Sequence, residues 1–253
     1  DYSTHFKKFF DLIEYLEKNL RGAVNGTVVF SNPVSDFLDK NRIQLKSLFV
    51  SDDYSLEIPE GEKGFLDFLA DIEEDTSQMN DEITAISAGM ETMSSGINEC
   101  TEEINRVQKS GGNGTAAFVR KQSKKAASYI SEFSKQLKQH TESIQSLWAK
   151  IEKNTLGLLE NEYATKPENK ESLTDYIKAL HKMMLSIKEA NQSVTVMKET
   201  SLNNLGIERS MNQSIRFLDQ DLSEYLDMTE QMVKSIERII GKSRFIIGDV
   251  PLE

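Results

Sequence analysis

From Ile72 onward the apolar and small residues of this chain recur in steps of four and three: Ile72, Thr76, Met79, Ile83, Ile86, Met90, Met93, Ile97, Cys100, Ile104 and Val107. Such steps average about 3.5 residues, the period that keeps one stripe of an α-helix against partner helices through a left-handed supercoil. One long helix is therefore expected, ending before the run SGGNGT. The stripe resumes beyond the glycines as Ala126, Ile130, Phe133, Leu137, His140, Ile144, Leu147 and Ile151. An extra step of four then carries it to Thr155 and Leu158, in the manner of a stutter. A third pattern opens after TKPENKES with Leu173, Ile177, Leu180, Met184, Ile187 and Val194, and weakens through Ser201, Asn203 and Asn204. It turns strict again from Met211 through Ile215, Leu218, Leu222, Tyr225, Thr229, Met232, Ile236 and Ile239, with an end expected at Gly241.

The first sixty residues are less regular. Ser3 or Thr4 suits the cap of an amphipathic helix bearing Phe6, Phe9, Phe10, Ile13, Leu16 and Leu20, with Gly22 as its stop. Pro33 suits the first turn of a shorter helix carrying Phe37, Leu38, Leu45, Leu48 and Phe49, and SDDYSLEIPEGE reads as a loop. The fold class that follows is all-α: an elongated antiparallel bundle with heptad packing, three long helices and shorter N-terminal ones. In this division residues 1–60 pack on the bundle and residues 61–241 form it, with turns at 110–114 and 164–171. Residues 242–253 are a tail or the start of a following segment.

Charge adds a register to this picture. Residues 62 to 109 carry 12 acidic and 3 basic side chains, whereas 115 to 163 carry 8 basic and 5 acidic. A reversal at Gly111, Gly112 and Gly114 would bring residue i close to residue 225 − i, twice the midpoint of that turn. Glu99, Glu102 and Glu103 then fall near Lys121, Lys124 and Lys125, and Asp71 to Asp75 fall near Lys150 and Lys153. Exposed ion pairs are weak, so the expected effect is on pairing and register more than on stability.

The same glycines invite a phosphate-binding reading, which the chemistry rejects. A phosphate cradle of that type needs a buried strand before GxxxxGK[ST], and here a helix precedes the turn and no lysine follows Gly114. Glycine at a helix C-terminus and Thr115 as the next cap explain the run instead. The RKQSKK segment at 120–125 has no interleaved aromatic residues and faces predicted acids, while the whole chain has a formal charge of −11, so no nucleic-acid partner is expected.

No reactive constellation stands out. His5, His140 and His181 are dispersed, no HExxH or ExxH element occurs, and Glu73-Glu74 and Glu102-Glu103 read as solvated pairs. Cys100, the single cysteine, lies on the stripe as a small buried group, and the nine methionines read as core filling. No catalytic, cofactor or metal residue is therefore assigned. No apolar run approaches the roughly 18 residues of a membrane span, so insertion of this segment is not expected. One cysteine and no signal-peptide pattern point to a cytoplasmic location, and a chain that starts at Asp1 and ends Leu252-Glu253 reads as part of a longer protein.

The functional expectation is a non-enzymatic interaction or scaffold module that meets a protein partner, or itself, through its helical seams. The alternative is a sensory bundle that relays a conformational change, with Asn203, Asn204 and Gly206 as the hinge, since polar residues and glycine weaken a helix there. The remotest reading is a helical pore-forming toxin. That would need a concealed apolar hairpin, and the glycine tip is polar on both sides.

Overall fold

The structure, a computed structural model, describes residues 30–41, 60–110, 116–199 and 209–248, with isolated positions at 14, 17, 18, 21, 22, 25 and 252. Among the described residues the chain is all-α, without strands. Residues 30–41 form helix α1. Four longer helices follow: α2, Glu60–Lys109; α3, Ala116–Glu160; α4, Lys170–Glu199; and α5, Arg209–Ile247. A 3-10 turn, Pro167–Asn169, precedes α4.

The apolar stripes are the buried positions. From Ile72 to Ile104 every stripe residue of α2 is at most 4% exposed, and in α5 the run from Met211 to Ile239 is likewise buried. In α3 one position is corrected. His140 stands half-exposed at the flank, and Thr141 takes the buried place. Both choices satisfy the periodicity, because Leu137 to Ile144 divides as four and three through Thr141 or three and four through His140. Thr141 fits the interior because its hydroxyl donates to the Leu137 carbonyl at 2.6 Å, leaving no unpaired group.

Two further expectations are corrected. The third long pattern is two helices, α4 and α5, so four long helices are described rather than three. Lys188 of α4 meets Glu237 of α5 at 3.0 Å, and Asn191 meets Thr229 at 3.1 Å, contacts that one continuous rod could not make. In addition, α5 runs through Gly241 and stops at Gly248. Gly248 has φ of 79° and its N–H donates to the Arg244 carbonyl at 3.1 Å, a left-handed closure that glycine adopts without strain. Gly241, by contrast, sits in open helical surface. Gly22 and Asn25 are both helical, against a stop at Gly22.

The chain divides into two compact units. The first comprises Asp1–Gly22, Glu82–Glu142 and Glu189–Thr229, and the second Ala23–Asp81, Ser143–Lys188 and Glu230–Glu253. In the first, Ile86, Met90, Met93 and Ile97 of α2 share the core with Ile130, Phe133 and Leu137 of α3 and Ile215, Leu218 and Leu222 of α5. The ring of Tyr129 lies on Gly96 so closely that a Cβ there would meet ring carbons at 2.6 Å. In the second, α1 contributes Phe30, Val34, Phe37 and Leu38. Phe30 packs edge-on against Tyr176 at 5.3 Å and Phe37 against Phe65 at 5.4 Å, the offset geometry that aromatic quadrupoles favour.

The second unit also holds the turn between α3 and α4. Asn161 closes it, its Oδ1 accepting from the N–H groups of Tyr163 and Ala164 while its Nδ2 donates to the Gly61 carbonyl at 3.0 Å. Phe65 is 1% exposed beneath α1, so Phe65→Ala should destabilise the chain by about 3–5 kcal/mol in equilibrium chemical denaturation. Phe245→Ala, at a position 93% exposed, should move the same transition by less than about 0.5 kcal/mol.

Candidate functional site

The residues singled out for a turn and a hinge, Gly111, Gly112, Gly114, Asn203, Asn204 and Gly206, lie outside the described residues. The side chains with distinctive chemistry are distributed along the bundle. Cys100 is buried in the first unit, and that burial pushes its thiol above the ordinary value, which keeps it protonated and a poor nucleophile. The His140 Nδ1 and the Glu82 carboxylate meet in a hydrogen bond across α3 and α2. His181 has its Nδ1 buried without a partner. Among the described residues no three His, Cys, Asp or Glu side chains come together as a metal site.

Several polar side chains pair across helices. In the first unit Ser131 and Ser214 are linked through their hydroxyls at 2.8 Å, and Ser134 donates to the Asp221 carboxylate. In the second, the Trp148 indole N–H donates to Ser235 Oγ at 3.1 Å, and Thr155 and Tyr176 share a hydroxyl bond of 2.6 Å. Full burial raises the Tyr176 phenol well above its ordinary value, so it is a fixed neutral group. None of these pairs was legible from sequence, because serine, threonine and tyrosine at helical spacing carry no sign of whether a partner helix stands opposite.

Two surface features remain. In the second unit a groove of about 440 Å³ lies between α1 and α4, with Asp36 and Lys40 on one side and Asp175, Lys178 and Lys182 on the other. Lys40 is already engaged, its ammonium donating to the Glu168 carbonyl at 3.2 Å and to Ser172 Oγ at 3.3 Å. In the first unit a groove of about 560 Å³ runs along α2, lined by Ala88, Glu91, Thr92, Ser95, Gly96 and Glu99, with Tyr129 of α3 as its wall.

The charged faces divide differently from the expectation. Glu103 bonds Arg106 on its own helix, and that pairing lowers its carboxyl below the ordinary value. Lys125 lies close enough to act on Cys100 and Glu103, yet forms no ion pair with Glu103. Between α2 and α3 the described contact of this kind is that of His140 with Glu82. The second unit does bridge its helices, through Arg238 with Glu152, Lys188 with Glu237 and Lys242 with Glu160. No described helix is long and apolar enough to cross a membrane. Comparison with family models, curated proteins and solved structures gives no match.

Asp75 of α2 yields a pH prediction. Burial raises its carboxyl above the ordinary value, Lys150 draws it partly back, and Asp71 and Glu74 push in the same direction as burial. A carboxyl whose folded pKa exceeds its unfolded one leaves the native state holding more protons between the two values, so stability falls as pH rises through that window. Asp75→Asn should therefore raise the melting temperature at about pH 7, and the gain should fade as pH drops to about 3, where both states are protonated. A variant less stable than the parent at neutral pH would show that attraction to Lys150 outweighs desolvation.

Proposed function

We propose that this chain is a non-enzymatic helical-bundle module whose exposed helix faces bind protein partners. Its packing is antiparallel and heptad-based in this reading. Within the first unit His140 faces Glu82, and Tyr129 faces Gly96, pairs whose numbers sum to 222 and 225. Within the second, Gly157 faces Phe68, and Lys150 acts on Asp75, both summing to 225. Descending numbers on one helix against ascending numbers on the next support a hairpin of α2 and α3. Stripe steps of four and three support knobs-into-holes contact along it.

The observation that carries the functional reading is the state of α3 in the first unit. Arg120, Lys121, Lys124, Lys125, Lys135 and Lys138 are all exposed there, and among the described residues none has an ion-pair partner. Interior polar groups are largely consumed by packing, whereas this face is not. A bundle that pairs most of its interior polar groups and leaves the cationic run from Arg120 to Lys125 exposed has the form of a recognition element rather than of a reaction site.

The test is proximity cross-linking of the full-length protein in its native cells, comparing the parent with Lys121→Gln/Lys124→Gln/Lys125→Gln. Discrete protein adducts that drop at least about tenfold in the variant are expected, since each tenfold corresponds to loss of a few charge-assisted contacts. Identical adduct profiles from two equally folded proteins would overturn the reading.

A further inference from the structure

The cationic face of α3 is built at a cost to its own helix. Arg120 and Lys124, and Lys121 and Lys125, are like charges four residues apart on adjacent turns, an arrangement that destabilises a helix. Of the acids expected to offset them, Glu103 is held by Arg106, and Glu102 accepts a hydrogen bond from Asn98 on its own helix. Among the described residues no ion pair joins these cations to a carboxylate.

A matching surface exists in the same unit. Along the outer groove of α2, Glu91 and Glu99 flank Ala88 and Ser95, exposed side chains small enough for another helix to approach closely, while Gly96 is already covered by the Tyr129 ring. Glu91, Glu99 and Glu102 are all exposed and have no cation beside them among the described ion pairs. The spacings agree as well. Glu91 and Glu102 are 102 − 91 = 11 residues apart, and Lys124 and Lys135 are 135 − 124 = 11 apart. Each is about three helical turns, roughly 16 Å, so the two acids can meet the two lysines at once along facing helices.

We propose that the occupant of this groove is a second copy of the chain. The cationic α3 face of one copy seats on the acidic α2 groove of the other, and the contact is made twice about a two-fold axis. An isologous pairing of this kind uses both faces of both copies and closes at the dimer, so neither face remains to propagate a filament. Charge complementarity sets the partner and the register, and the small side chains of Ala88 and Ser95 allow helix-to-helix approach. The inference rests on the reading of the chain as an interaction module, and it names the partner.

Sedimentation velocity on the full chain tests it through a charge exchange. Lys121→Glu/Lys124→Glu/Lys125→Glu and Glu91→Lys/Glu99→Lys/Glu102→Lys should each be monomeric at about 100 μM in low salt, where the parent is a dimer. An equimolar mixture of the two variants should recover a one-to-one dimer, because each acidic face then meets a basic one. Raising salt from about 50 to about 500 mM should weaken the parent dimer by about tenfold or more. Circular dichroism verifies the fold, and the same positions changed to Gln replace any charge-reversed variant that loses helix. A monomeric parent, undiminished dimers of either variant, or a mixture that stays monomeric would overturn the proposal, as would a monomer whose lysine face binds an oligonucleotide duplex. If the parent is monomeric but its cellular adducts still depend on the lysines, self-pairing fails and the interaction module stands. If neither depends on them, both fail.

Discussion

An isolated helix with a single apolar stripe has little stability in water, so α2, α3, α4 and α5 keep their form by pressing those stripes together. The stripe of α2 illustrates the consequence. Its buried residues include Ile72, Met79, Ile86, Met93, Ile97 and Ile104, and between them stand threonines, serines, alanines and acids that offer no second apolar face. Removing the partner helices would leave those side chains in water at roughly 25 cal/mol for each Å² of apolar surface. Everything else in the molecule is arranged within that requirement, including where polar side chains are tolerated inside.

A uniform apolar seam leaves neighbouring registers close in energy, and buried polar pairs separate them. Trp148 with Ser235, and Thr155 with Tyr176, are satisfied only when those residues stand opposite one another. Sliding either helix by one turn would strand a hydroxyl or an indole N–H away from water, at about 1–3 kcal/mol for each group. Close approach acts in the same sense. Gly96 beneath Tyr129 and Gly157 beneath Phe68 accept rings where a side chain would collide, so each ring marks one allowed register within its unit. The bonds and the close contacts are thus alternative expressions of one restriction on sliding.

Helix positions and buried stripes were legible in the sequence because periodicity is a local property of the chain. The helix count failed at α4 and α5 for a physical reason: a stripe has the same period on both sides of a reversal, so Val194 and Met211 read as one interrupted pattern. The end of α5 was misplaced because Gly241 and Gly248 look alike in sequence, and only the backbone distinguishes the glycine with positive φ. His140 and Thr141 exchanged places because either satisfies the spacing, and the choice rests on which side chain can pair its polar atoms. The candidate interface was half legible. Segregation of charge between α2 and α3 is plain from composition, whereas the groove beside Tyr129 and the absence of α2–α3 lysine ion pairs require coordinates.

That absence bears on what the charges are for. Exposed ion pairs contribute little to stability, so a bundle has no need to bridge its helices with them. This chain nevertheless bridges them in the second unit, where Arg238, Lys188 and Lys242 reach carboxylates on neighbouring helices. In the first unit Lys125 lies close enough to act on Glu103, and still the lysines of α3 stand exposed. Mere solvation would account for isolated charges of mixed sign. It accounts less well for four cations within six residues of α3 at spacings that repel, beside a helix whose Glu91, Glu99 and Glu102 have no cation partner among the described ion pairs. Like-charge strain on one face and excess acid on another have a common resolution when the two surfaces meet between copies.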